Sequence, residues 1–362
     1  MENKKKLPLS LYGFSAEMLC VILDLTKPFY GRQIYQWLIK GITSFDQMTD
    51  LPKFERQRLS ELMPNISSSS VETSETDETG AVKLGIKLYD GSIIECVLLI
   101  DSKGRHTACL SSQVGCAMGC TFCRTGTMGL SRNLTAEEII EQYIHLCKVS
   151  EEPVTHIVFM GMGEPLANIA PVTRAIRYFH EENGFNISLR RITISTCGVV
   201  PGILKLAEQK LQVKLAVSLV SADNPTRSKI MPVNTTWDLP ELKKALLHYQ
   251  RTGGKRFTLE YCMLRDVNTN EFAAKKLVAF AREMDVVVNL IPWNPAEGLP
   301  YETPSAHEID AFARYLERMN IKYTRRYPRG REINGACGQL AVPLNKGLEV
   351  DYYDDDDDDD EE

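Results

Sequence analysis

Three cysteines in the run Cys116-Ala-Met-Gly-Cys120-Thr-Phe-Cys123 constrain this chain more than any other feature. Three thiolates at this spacing can hold three irons of a [4Fe–4S] cluster and leave the fourth iron open to a chelating ligand. S-adenosylmethionine (SAM) offers such a chelate in its amino and carboxylate groups, and one electron from the cluster then splits its sulfonium bond to give a 5′-deoxyadenosyl radical. The competing reading is a structural zinc site, which wants a fourth Cys or His nearby. No His lies in this loop. Phe122, inside the run, suits a shield for the cluster or for SAM, or plain core packing.

A thiol-rich loop needs a scaffold, and the chain around it alternates short β-rich runs with amphipathic helical ones. The strands expected are 107–111, 156–160, 191–195, 214–219, 257–263 and 286–291. The helices that follow them are 136–148, 171–182, 202–210, 241–251, 271–284 and 306–319. Thr135-Ala-Glu-Glu138 and Ser305-Ala-His-Glu308 read as capping boxes that open two of these helices. Six βα units imply an α/β fold, an incomplete (βα)6 barrel with its chemistry at the C-terminal strand ends. The cysteines fall in the loop after the first strand.

Ahead of this body, residues 1–63 read as a small helical accessory domain, with Ile34, Tyr35, Trp37 and Leu38 at helical spacing. Residues 64–80 are rich in Ser, Thr, Asp and Glu and read as a linker. Residues 81–350 form the catalytic domain, and 351–362 an acidic tail that cannot fold on its own. The formal charge of −6 is set by that tail; without its ten acidic residues the body has 42 basic against 38 acidic side chains. Such a body tolerates a nucleic-acid partner. The first residues carry no apolar signal region and no run is long enough to span a membrane, so a cytoplasmic location is expected. Ten cysteines in that setting point to metal or redox work by a subset of them.

Seven ordered motifs then identify a family: Gly31-Arg-Gln-Ile-Tyr-Gln-Trp37, Ser111-Ser-Gln-Val-Gly-Cys116, Gly161-Met-Gly-Glu-Pro165, Arg191-Ile-Thr-Ile-Ser-Thr196, Ile230-Met-Pro-Val-Asn234, Leu290-Ile-Pro-Trp-Asn-Pro295 and Ala336-Cys-Gly-Gln-Leu340. In all but the linker and tail the chain resembles the RlmN/Cfr-type radical SAM adenine methyltransferases. The Ile-Pro-Trp-Asn-Pro run looks more like the RlmN branch, which acts on adenine C2, than the resistance-conferring Cfr branch, which acts on C8. The N-terminal module resembles the family's helix-hairpin-helix-like accessory domain, in which Arg32 and its neighbours grip RNA or merely solubilise the module.

The resemblance implies a division of labour among residues. Cys116, Cys120 and Cys123 hold one [4Fe–4S] cluster. Two SAM molecules are used per turnover: one methylates Cys337, and the other is cleaved to a radical that takes hydrogen from the resulting thioether methyl. The methylene radical adds to the base and leaves a protein–RNA adduct. Glu95 is implied as the base that removes the proton from the substituted carbon, and Cys109 as the thiol that forms a disulfide with Cys337 and releases the product. Gly163, Glu164, Ser195, Ser218, Leu219, Val220 and Asn294 are implied as SAM-binding positions, with Glu164 accepting from the SAM ammonium. Val220 stands where the family commonly has His, and Arg124 and Gly335 also depart from its usual residues.

The implied substrates are 23S rRNA at the peptidyl-transferase centre and tRNA beside the anticodon. A flavodoxin or ferredoxin is the implied electron donor, and the protein is expected to be a monomer with no membrane partner. Basic clusters at Arg190–Arg191, Lys243–Lys244, Lys255–Arg256 and Arg325–Arg331 are candidates for phosphate contacts, and Trp293 and Tyr327 for stacking on an extruded base. C8 methylation of the Cfr type and a non-catalytic iron–sulfur or zinc protein that only binds RNA are the alternatives. Cys20, Cys96, Cys147, Cys197 and Cys262 have no assigned role.

Overall fold

The computed structural model describes residues 8–252, 256–326 and 329–341. The acidic tail expected at 351–362 lies outside them, as does Tyr327. Helices α1 (Ala16–Ile22), α2 (Pro28–Ile39) and α3 (Lys53–Leu62) form the N-terminal module. Ser15 caps α1 by accepting from the Met18 amide, and Pro28 opens α2, where its missing N–H costs nothing. The module is fastened to the body by Gln36, which donates to the Asn183 carbonyl at 2.6 Å, and by edge-to-face packing of Tyr35 on Tyr178 at 5.7 Å.

The body is a ten-stranded sheet wrapped by helices. Strands β1 (Ser70–Thr76), β2 (Val82–Lys87), β3 (Ile93–Ile100) and β4 (His106–Cys109) form an antiparallel meander, and β5 (Gln113–Cys116) and β6 (Gly129–Asn133) a separate hairpin. From β4 onward the large sheet is parallel: α4 (Ala136–Val149), β7 (Val154–Phe159), α5 (Ile169–His180), β8 (Ile192–Thr196), α6 (Val200–Glu208), β9 (Lys214–Ser218), α7 (Asn224–Ile230), α8 (Leu239–Arg251), β10 (Phe257–Met263), α9 (Glu271–Ala281), β11 (Val286–Pro292), α10 (Ala306–Arg318) and β12 (Tyr323–Arg325). The strand order is 1-2-3-4-7-8-9-10-11-12, so the large sheet keeps two edges. It is the expected incomplete barrel of six βα units, with the short β12 as its last edge strand. Both expected capping boxes form, and Asp238 with Glu241 makes another at α8.

The linker expected over 64–80 is corrected in part. Residues 70–76 form β1, which pairs with β2 at the sheet edge. All seven of its residues are exposed, so no apolar alternation marks the strand, and its Ser, Thr and Glu content reads as loop. Among the described residues no helix is long and apolar enough to cross a membrane.

Candidate active site

Because β4 ends at Cys109, the next residues leave the sheet at its C-terminal end and enter the β5–β6 hairpin, whose first strand ends on Cys116 and whose connection carries Cys120 and Cys123. Cys116, Cys120 and Cys123 line one cavity of about 170 Å³ with Gly163, Glu164, Ser195, Ser218, Val220, Asn294 and Cys337. Burial pushes the Cys116 thiol up to about 12 and also raises Cys120 and Cys123, each further opposed by a neighbouring thiolate. Three crowded thiols give up their protons to a cationic partner, which is the donor chemistry an iron–sulfur cluster asks for. They do not close into a group that would clasp a single ion. The Asn294 Oδ1 lies buried in this cavity wall without a hydrogen-bond partner, an acceptor suited to a bound ligand.

The strand ends around this cavity are held by side chains of other elements. Gly163, at φ 96°, sits so close to Gln113 that a Cβ there would lie 2.5 Å from the Gln113 Cβ. The glycine therefore lets the loop after β7 pack on β5. Glu164 lines the cavity, as expected of a SAM contact, and its two oxygens also accept from the amides of Leu166 at 3.0 Å and Cys197 at 2.8 Å, which leaves each a second lone pair. It ties the β7 loop to the end of β8. Val220 adopts φ 56°, a conformation costly for a β-branched residue. Its carbonyl accepts from Asn268 at 2.7 Å, and the same amide group donates to Cys262 and accepts from Leu264.

Leu219 is fully buried and is not brought to the cavity; its amide donates to the Glu260 carbonyl and its carbonyl accepts from Arg227. Arg227 is itself 0% exposed. Its guanidinium spans the Leu219 carbonyl at 3.1 Å, the Cys197 carbonyl at 2.6 Å and the Asn234 Oδ1 at 2.9 Å. The Ile230–Asn234 motif thus serves to seat an arginine under two strand ends.

Residues after β12 return across the barrel mouth. Arg124 donates its amide to the Gly338 carbonyl at 2.8 Å, Thr125 its hydroxyl to Leu340 at 2.6 Å, and Gln339 its amide group to Pro295 at 2.7 Å. The departure at Arg124 adds a side-chain bond to the Glu297 carbonyl at 3.0 Å. Gly335 donates to the Gly330 carbonyl at 2.6 Å and so closes the turn before the carrier segment. Cys337 comes to lie on the wall of two cavities: the one with the motif cysteines and a second, of about 420 Å³, with Cys109. All the described cysteines are free thiols, and burial together with Cys337 pushes Cys109 up to about 12.

Glu95, on β3, is brought to the same segment but not to either cavity wall. Its Oε2 accepts from the Ala341 amide at 2.8 Å and its Oε1 stands 3.4 Å from Lys83. Burial raises its pKa and Lys83 partly offsets the shift.

Several expected contacts fall elsewhere. Trp293 is 4% exposed and donates to the Phe122 carbonyl at 2.9 Å, so it braces the cysteine loop, and the cavity it faces is the one of about 170 Å³. Lys243 pairs with Glu283, and Arg256 with Asp285 at 2.9 Å; neither lines the site. Lys255 lies outside the described residues. Sequence reasoning missed Cys197, Glu260, Cys262 and Arg326, all on the walls of the 170 Å³ cavity. For three of them the only signal was position near a strand end, where alternation cannot separate core from cavity; Arg326 was legible only as one of a basic run.

A family model of the radical SAM superfamily matches residues 110–275, and a model of the ribosomal RNA large subunit methyltransferase N-terminal domain matches 14–64. A protein of Treponema pallidum (strain Nichols), described as a probable dual-specificity RNA methyltransferase RlmN, is 44% identical over 331 residues, 91% of this chain and 97% of its own. A dual-specificity RNA methyltransferase RlmN of Lawsonia intracellularis is 43% identical over 335 residues, covering 90% and 93%. The crystal structure of a radical SAM methyltransferase from Sphaerobacter thermophilus superposes with a TM-score of 0.87 at 38% identity, covering 92% of this chain and 99% of that one.

Proposed function

The chain belongs to the RlmN family of radical SAM RNA methyltransferases, and from that premise we propose that it methylates C2 of an adenine in 23S rRNA at the peptidyl-transferase centre, and an adenine beside the tRNA anticodon. The observation that carries the reading is the position of Cys337 on the wall shared by the two cavities. A carrier that takes a methyl group on one side and gives it up on the other needs such a place.

Cys116, Cys120 and Cys123 fit a [4Fe–4S] cluster, with SAM beside it against Ser195, Ser218 and Asn294. Bound there, the pair supplies one-electron chemistry able to take a hydrogen atom from a methyl group. Adenine C2 is an unreactive sp² carbon, so an electrophilic methyl alone does not suffice. Cys337, as a thiolate, takes the methyl of one SAM molecule by displacement. A second SAM is consumed when that methyl, activated by hydrogen loss, bonds to the base. Glu95, held off the cavity walls beside the Cys337 segment by the Ala341 amide, is the residue we assign to accept the C2 proton, and its raised pKa suits it to hold one. Cys109 then bonds to the Cys337 sulfur as the carbon–sulfur bond breaks, and a Cys109–Cys337 disulfide remains. The electron pair of the broken bond stays on the methylene carbon, which takes a proton to become the methyl group, and the odd electron left by radical addition returns to the redox couple that supplied the first one. Both cysteines line the larger cavity, which supports the pairing.

The catalytic unit spans 81–350 in this reading and the accessory unit 1–63, with a flavodoxin or ferredoxin as electron donor to a cytoplasmic monomer. Anaerobic reconstitution with SAM, a reductant and a 23S rRNA fragment tests the reaction. Digestion of the RNA is expected to yield 2-methyladenosine, and the reaction 5′-deoxyadenosine. Release of 8-methyladenosine would overturn the regiochemistry, and absence of 5′-deoxyadenosine the enzyme itself.

A further inference from the structure

We propose that RNA reaches Cys337 from the end of the barrel opposite the cysteine loop, its backbone phosphates held by Lys103, Arg191 and Lys214. This rests on the proposed function and adds the direction of entry and the cations that serve it.

The argument starts from what closes the barrel mouth. The segment carrying Cys337 is bonded across it at Gly338, Gln339 and Leu340. A base arriving through the mouth would have to break those bonds and pass the cavity formed with the motif cysteines. The other side of Cys337 is already open: the cavity of about 420 Å³ extends from Cys337 and Cys109 to the loop before β4 and to the beginnings of β8 and β9. Lys103, Arg191 and Lys214 stand at this far end and are solvent-exposed. The volume lies within the range of small-ligand sites, about 300–1,000 Å³, and so admits one extruded nucleotide but not a duplex.

Charge identifies the visitor. Arg105 at the same rim is paired with Asp101, but no ion pair engages Lys103, Arg191 or Lys214 among the described residues. Arg326 and Arg329 extend the positive lining inward, and among the described residues Asp101 is its one carboxylate. The field is felt by His156 on the cavity wall, whose pKa is lowered by burial first and then by Arg105, Arg191 and Lys214, with Asp101 opposing them. Cations without partners around an opening into which a base must be delivered match the phosphates flanking a flipped nucleotide. An anionic small-molecule thiol that reduces the Cys109–Cys337 pair would use the same charge, and the test separates the two.

The test uses the full-length reconstituted protein and a stem-loop RNA carrying the target adenine, with binding measured at several salt concentrations. Arg191→Gln/Lys214→Gln is expected to weaken binding at least about 10-fold at low salt and to reduce the salt slope by about one per cation removed. Arg191→Lys/Lys214→Arg is expected to restore both. Methylation of Cys337 by SAM without RNA, read by peptide mass, reports folding and should persist in every variant.

Unchanged RNA affinity and salt slope in the Gln pair would overturn the proposal, as would slowed reduction by an anionic thiol with RNA binding intact. So would failure of the charge-retaining pair to restore binding. RNA binding is read independently of product. A dependence on these cations with no 2-methyladenosine formed would therefore leave the entry route standing and remove the reaction.

Discussion

Replacement of Cys337 by alanine is expected to reduce RNA methylation by at least about 10⁴-fold, because the variant removes the atom that carries the methyl group and leaves the rest of the site in place. The fixed contact at this residue is through its backbone: the Cys337 carbonyl accepts from Asn294 at 3.2 Å. Its side chain is half-buried, so thermal stability should change little. The assay is methyl transfer from labelled SAM to RNA, with SAM binding measured alongside. A few-fold loss would mean that the methyl reaches the base by another route.

Arg227→Met is expected to be the most destabilising substitution in the barrel. The guanidinium is fully buried and satisfies carbonyls at the ends of both β8 and β9 as well as the Asn234 amide oxygen. Methionine fills part of the volume and strands those acceptors, at a cost of about 4 kcal/mol. For a chain this size that lowers Tm by roughly 5 °C. Lysine should not rescue it, because one ammonium cannot reach three directions at once. Since Leu219 and Cys197 lie next to Ser218 and Thr196 on the cavity wall, SAM affinity should fall with stability. Measured melting and SAM binding equal to the unsubstituted protein would contradict this placement.

The parts of the fold legible in the sequence are those where one physical rule acts alone. Parallel strands buried on both faces gave apolar runs, and amphipathic helices with Thr135 and Ser305 caps gave their own boundaries. The meander β1–β3 was not legible, because an exposed edge strand such as Ser70–Thr76 has the composition of a loop. In the site, the cysteine spacing was enough to bring Cys116, Cys120 and Cys123 to one cavity. Distant partners add contacts that spacing cannot show: the Glu164 oxygens also accept from the amides of Leu166 and Cys197, and Trp293 lies inside, donating to the Phe122 carbonyl. The basic cavity draws its cations from four places far apart in the chain, so runs such as Lys243–Lys244 stood out where single residues such as Lys103 and Lys214 did not.

The most direct measurement is made on Cys109→Ala. Incubated anaerobically with SAM, reductant and substrate RNA, then denatured, digested and mapped by mass spectrometry, this variant is predicted to hold RNA covalently, with the Cys337 sulfur joined through one methylene to an adenosine. An unmodified Cys337 peptide, with methylated RNA released as fast as by the unsubstituted protein, would contradict it.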